Sequence, residues 1–164
     1  MKKYEFTGET KQINLLFRTA TLHRIRAVVE FGLVKIGDLG GWIEKEENLS
    51  HDGKAWVWGN AEVCGDAEVW GNAKVCGDAE VFSASHVLVI GAIGSRNDFT
   101  TFFRDKDGEI TVKCGCFLGK IDRFLEKVAS THGNSKYALV YRAAVEVAKL
   151  QIDLTGEAPE MDEE

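Results

Sequence analysis

From Lys54 to Phe82 apolar and polar positions recur every six residues: Ala-Trp-Val-Trp-Gly-Asn, Ala-Glu-Val-Cys-Gly-Asp, Ala-Glu-Val-Trp-Gly-Asn, Ala-Lys-Val-Cys-Gly-Asp, Ala-Glu-Val-Phe. Val57, Val63, Val69, Val75 and Val81 share one slot. Ala55, Ala61, Ala67, Ala73 and Ala79 stand two residues before it, and Gly or Ser two residues after. This period predicts a short left-handed hexapeptide β-helix, in which each hexapeptide forms one face of a triangular prism and three complete a coil of about 18 residues. Val would point inward, Ala would sit where the interior narrows, and stacked coils would pair their backbones along each face. A β-meander also alternates. It would have to turn back at each Gly-Asn or Gly-Asp, leaving about four residues per strand and no purpose for the Ala slot.

The flanks carry weaker versions of the pattern. Val28, Val34, Leu39, Ile43 and Leu49, with Gly32, Gly37, Gly40, Gly41 and Gly53 between them, extend it upstream, and Ser85 and Val87 extend it downstream. Three to four coils between Ile25 and Ile90 are expected, with Tyr4 to Thr10 and Ile13 to Phe17 as a capping hairpin. Beyond them Val87 to Ile93, Phe99 to Arg104 and Glu109 to Cys114 read as strands, the last two joined at Asp105-Lys106-Asp107-Gly108. Ile121, Phe124, Leu125 and Val128 make a helical stripe that ends at His132-Gly133. Asn134 or Ser135 then caps a second helix running to about Asp153. The expected organisation is mainly β with an α+β C-terminal module: residues 1–24 a capping hairpin, 25–90 the β-helix, 91–154 three strands and two helices. Residues 155–164, acidic and holding the only proline, are expected to be a disordered tail.

A net charge of −6 argues against general nucleic-acid binding. The densest basic cluster, Arg18, His23, Arg24 and Arg26 with Lys35 nearby, reads as a solvated face of a capping strand. Met1-Lys2-Lys3 leads into Tyr4-Glu5-Phe6 and no apolar run is long enough to span a bilayer, so neither a secretory signal nor a membrane anchor is expected, and the location is expected to be cytoplasmic. Four cysteines fit a reducing compartment. Cys64 and Cys76 hold matching slots two repeats apart, on different faces of a prism. Cys114-Gly115-Cys116 lacks a partner pair at zinc spacing, so no metal is assigned, and no cofactor motif is present. Trp58, Trp70 and Phe82 share an outward slot with Cys64 and Cys76. An outward aromatic and thiol stripe on an acidic chain predicts burial between subunits, as a homotrimer.

Several stretches resemble a group of largely uncharacterised phage and prophage proteins. They are Thr21-Leu22-His23-Arg24-Ile25-Arg26-Ala27, Gly37-Asp38-Leu39-Gly40-Gly41-Trp42-Ile43-Glu44 and Asn48-Leu49-Ser50-His51, then, after the hexapeptides, Ile90 to Asp98, Thr100-Thr101-Phe102 and Cys114-Gly115-Cys116-Phe117. The resemblance runs from about Thr21 to Leu150. It implies a phage origin and a β-helix followed by a C-terminal module, and no established chemistry.

The functional weight falls on Gly94-Ser95-Arg96-Asn97-Asp98, a polar loop between two apolar strands. Arg96 can grip phosphate or carboxylate with its planar fork, and Ser95, Asn97, Asp98, Thr100 and Thr101 supply hydroxyls, an amide and a carboxylate. Arg104 and Lys113 on neighbouring strands and His132 at a helix end complete the candidate ligand-binding set. The plain alternative is a β-turn in which Asn97 and Asp98 satisfy their own backbone and Arg96 pairs with Asp98. No catalytic residue is assigned. The expected function is non-enzymatic sequestration of a small anionic, nucleotide-like ligand, such as a signal of bacterial immunity. The alternatives are a hexapeptide acyltransferase using His51 or His86 in a groove between subunits, and a structural or protein-binding trimer.

Overall fold

A computed structural model describes residues 1–155 of the chain; the expected tail from residue 156 onward lies outside the described residues. The strands are β1 (Tyr4–Asn14), β2 (Thr19–Ala27), β3 (Leu39–Ile43), β4 (Trp56–Val57), β5 (Glu62–Val63), β6 (Lys74–Val75), β7 (Glu80–Val81), β8 (Val87–Ile93), β9 (Asp98–Arg104), β10 (Ile110–Cys114) and β11 (Phe117–Lys120). Two helices follow, α1 (Ile121–His132) and α2 (Lys136–Gln151). They lie where the 3.6-residue stripes place them, with Gly133 at φ 57° closing α1.

The strands form a mixed five-stranded sheet in the order β1-β2-β3-β5-β7, an antiparallel four-stranded sheet β11-β10-β9-β8, and the parallel pair β4-β6. This corrects the left-handed β-helix expected from the repeat: the sheets are mixed and antiparallel, not a solenoid. Hexapeptides do pair in parallel, Glu62 with Glu80 and Trp56 with Lys74, each 18 residues on. The repeat is too short to go further. Lys54 to Phe82 yields only four strands of two residues, and the edges they leave open are taken by other neighbours. The antiparallel hairpin β1–β2 reaches the ladder through β3, and Ala79 bridges antiparallel to Asp105 on the far side.

Two further expectations are corrected. The N-terminal hairpin is longer than residues 1–24, with Ile13 near the end of β1 and Phe17 in the turn. Its second strand runs through Ile25, because Ala20, Leu22, Ile25 and Ala27 all bury their side chains. The C-terminal sheet has four strands, not three, since Phe117–Lys120 folds back on β10 from the Cys114-to-Phe117 turn.

Every Val and Ala of the repeat is 0–1% exposed, so both slots line the first core. A second core lies between the four-stranded sheet and the helices, where Phe102 and Val112 meet Phe124, Val128, Tyr141 and Val145. Strand β9 is the wall between the two. Successive side chains of a strand point to opposite faces, so Phe103 enters the repeat core and Phe102 the helix core. Among the described residues no helix is long and apolar enough to cross a membrane.

Candidate functional site

The polar loop is the turn of the β8–β9 hairpin. The Asn97 N–H donates to the Gly94 carbonyl at 3.1 Å, and both residues hold positive φ, 79° at Gly94 and 50° at Asn97. Glycine is required at position 94 for a second reason: a Cβ there would run into the Tyr141 hydroxyl. The β10–β11 turn lies beside this tip. The Arg96 guanidinium crosses Gly115, where an added Cβ would stand 3.1 Å from Nη1. Helix α1 closes the other side with Phe124, Lys127, Val128, Thr131 and His132, and Tyr141 of α2 forms the back. The enclosed cleft has a volume of about 300 Å³, the small end of the range for ligand pockets.

Its back wall is aromatic. Tyr141 stacks on His132 at 5.7 Å and meets Phe124 edge-on at 5.7 Å, and Phe117 leans on Phe124 at 5.4 Å. Burial first, then the Cys114 thiol beside it, push the Tyr141 phenol up to about 12, so it keeps its proton near neutrality. The Thr100 hydroxyl points to Cys114 Sγ at 3.5 Å. At the rim the Asp98 carboxylate accepts its neighbour Phe99's N–H at 2.7 Å and forms no ion pair with Arg96. Among the described residues the side chains of Arg96 and Lys127 have neither an ion-pair nor a hydrogen-bond partner. Two cations therefore face a mostly apolar cleft with their charge unspent.

Of the sequence-predicted residues, Ser95, Arg96, Asp98, Thr100 and His132 come together around this cleft. Asn97 shapes the turn and does not line it. Thr101 and Lys113 are cross-strand partners on the face opposite Thr100 and Cys114. There Thr101 Oγ1 accepts the Lys74 N–H at 3.0 Å, while Lys113 Nζ donates to the Gly115 carbonyl at 2.7 Å. Arg104 lies four residues along β9 from Thr100, 3% exposed, with Nε donating to the Glu80 carbonyl and its guanidinium over the Phe82 ring at 5.0 Å. Sequence reasoning misses Lys127 and Thr131, which flank the apolar stripe of α1 one helical turn apart, and it misses the aromatic wall, whose residues read from spacing alone as core.

The remaining candidates make contacts within the chain. His51 stacks on Tyr4 at 4.1 Å and accepts the Lys3 N–H on Nδ1. His86 is fully buried and accepts the Phe82 N–H on Nδ1 at 3.0 Å. Burial, aided by Arg104, lowers its pKa to about 4. Arg18 grips Glu44 with both guanidinium arms, Arg26 pairs with Glu5, and Arg24 lies over Trp42, so most of the basic cluster is spent within the chain. Of the outward stripe, Cys64, Cys76 and Phe82 are buried by the chain itself, Trp58 is half-buried, and Trp70 is half exposed. All four cysteines are free, and no group of three or more His, Cys, Asp or Glu side chains among the described residues is placed to hold a metal.

No protein-family model matches this chain, and no curated protein matches it.

Proposed function

We propose that the cleft between the two hairpin tips and the helices binds a small anionic, nucleotide-like ligand, and that the protein sequesters this ligand rather than converting it. The observation that carries the reading is one concave site of about 300 Å³ in which Arg96 and Lys127 hold unspent charge against a wall of Phe117, Phe124 and Tyr141. A guanidinium fork and an ammonium suit a phosphate, and aromatic faces suit a flat base. His132 and the Ser95 and Thr100 hydroxyls add adaptable polar contacts at the rim. The phage-like stretches support the setting: a phage-type protein acting in the host cytoplasm on a nucleotide signal of bacterial immunity. Homotrimer assembly belongs to the same proposal, with Trp70 as the exposed part of its stripe.

The test is to incubate purified protein with a cell extract or nucleotide library, denature it, and identify released compounds by mass spectrometry. Release of an unchanged anionic compound supports sequestration, and a modified product overturns it in favour of an enzyme. With the released compound in hand, calorimetry on Arg96→Ala should show binding weaker by about 30-fold or more, as expected for loss of one side of a charge-assisted contact. Arg96→Lys should lose most of the affinity too, because it keeps the charge and removes the fork. Wild-type affinity in Arg96→Ala sinks the reading.

A further inference from the structure

A second cleft of about 330 Å³ opens where the loop after β2 meets the outward face of β4 and β6. The outward residues of this face follow from strand alternation. Ala55 and Val57 point into the core, so Lys54 and Trp58 point out, as does Lys74 on the neighbouring strand. The Lys54 N–H donates both to the Gly71 carbonyl at 3.0 Å and to Asn72 Oδ1 at 3.3 Å, which sets Lys54 beside Asn72. The opposite wall is Phe31, held in place by the Trp56 edge at 5.3 Å and by the Lys3 ammonium 4.7 Å from its ring centre. Among the described residues the side chains of Lys54 and Lys74 have no carboxylate partner, in a chain with a net charge of −6.

We propose that this cleft is a second binding site, for a flat ring carrying an anionic group, with Trp58 as the stacking face and Lys54 and Lys74 as the counter-charges. The arrangement has the two elements that such a ligand needs. Indole is a large π surface, and Trp58 is half-buried and packed against the repeat core. Two lysines line the same cleft, Lys54 just before β4 and Lys74 on β6, and neither has a carboxylate partner among the described residues. Asp98 also lines the cleft, where its carboxylate suits a donor edge of the ring. Asp98 also borders the Arg96 cleft, which makes the two sites neighbours across the start of β9. The proposal stands on its own residues and does not depend on the Arg96 cleft being occupied.

Adenosine 5′-monophosphate is the probe, read by the indole N–H resonances of the protein labelled with nitrogen-15, where Trp58→Phe identifies the Trp58 signal. Millimolar probe should shift the Trp58 resonance saturably. Lys54→Ala with Lys74→Ala should weaken that response by about tenfold or more while the other indole signals report an intact fold. Arg96→Ala should leave it unchanged, so this site and the Arg96 cleft fail or succeed separately. No saturable shift of the Trp58 signal, or a shift that survives the double lysine substitution, overturns the proposal.

Discussion

Replacing Asp105 by asparagine should destabilise the protein well beyond what a polar swap at a turn ordinarily costs. Asp105 is 3% exposed, and its carboxylate collects four donors: Lys120 Nζ at 2.6 Å, the Thr111 hydroxyl at 2.7 Å, and the N–H groups of Asp107 at 2.9 Å and Glu109 at 3.2 Å. Burial acts to raise its pKa, and those four donors more than offset it, so the group sits below the ordinary carboxylate range. In Asp105→Asn the amide oxygen can keep the two backbone donors. The amide nitrogen, itself a donor, then faces Thr111 and the Lys120 ammonium. One charge-assisted hydrogen bond is lost and a donor–donor contact is created, for a cost of about 2–3 kcal/mol. Lys120 is 38% exposed and retains Asp107 and Glu109 as partners, so the figure stays below the roughly 3–5 kcal/mol typical of stranding a fully buried charge. Urea unfolding of both proteins reads the difference, and the melting temperature should fall by about 5–10 °C. Because the native pKa is depressed, the stabilisation is fully present above the unfolded-state pKa and fades as pH falls through the lower native value, so the gap between wild type and variant should close in acid. The reasoning is refuted if the two proteins lie within about 0.5 kcal/mol of each other at neutral pH, the range expected for a surface substitution.

His86 shows the same sign of linkage from a group kept neutral: its pKa is lowered to about 4, so the unfolded chain takes up a proton near pH 6.5 that the folded chain refuses. Stability should fall by up to about 3 kcal/mol as pH drops from about 6.5 to 4, and His86→Asn, which can still accept the Phe82 N–H, should flatten that slope in calorimetric melts; an unchanged slope places the titrating group elsewhere. Trp70 is half exposed and meets Phe99 edge-on at 6.1 Å, so if the trimer proposal holds, light scattering at micromolar concentration should give three chain masses for wild type and one for Trp70→Glu; equal masses for the two proteins count against Trp70 as the contact.

Local periodicity is legible where one rule governs a segment. The Val and Ala slots of the repeat are buried as their spacing requires, and the stripes of Phe124 with Val128 and of Tyr141 with Ala144 and Ala148 face the second core. How segments share edges is not legible. Nothing in Thr19 to Ala27 announces that this strand will pair with Leu39–Ile43 and turn the neighbourhood of the repeat into a mixed sheet, because pairing partners are chosen by edges that become available only in three dimensions. Phe117–Lys120 does not read as a strand, since four residues that include a glycine carry little β signal of their own. Half of the candidate site is readable for a related reason. The polar run Ser95 to Asp98 stands out between apolar strands, whereas Lys127 and Thr131 reach the cleft only because α1 packs across the sheet beside that turn.

The distribution of spent and unspent charge separates the two basic regions of this chain. The sequence makes the Arg18-to-Arg26 segment the denser cluster, yet its arginines are committed to Glu44, Glu5 and the face of Trp42. An exposed ion pair of that kind contributes little energy, typically under about 1 kcal/mol, but it removes the charge as a recognition element. Arg96, Lys127, Lys54 and Lys74 are scattered in sequence, and the fold gathers them into two clefts, each with an aromatic wall and Asp98 at its border. On an acidic molecule, long-range attraction toward an anion is weak, so recognition has to be local, inside clefts where the dielectric is reduced and a cation is not already neutralised. By that criterion the start of β9, and not the basic N-terminal hairpin, is the region we propose for binding an anionic ligand.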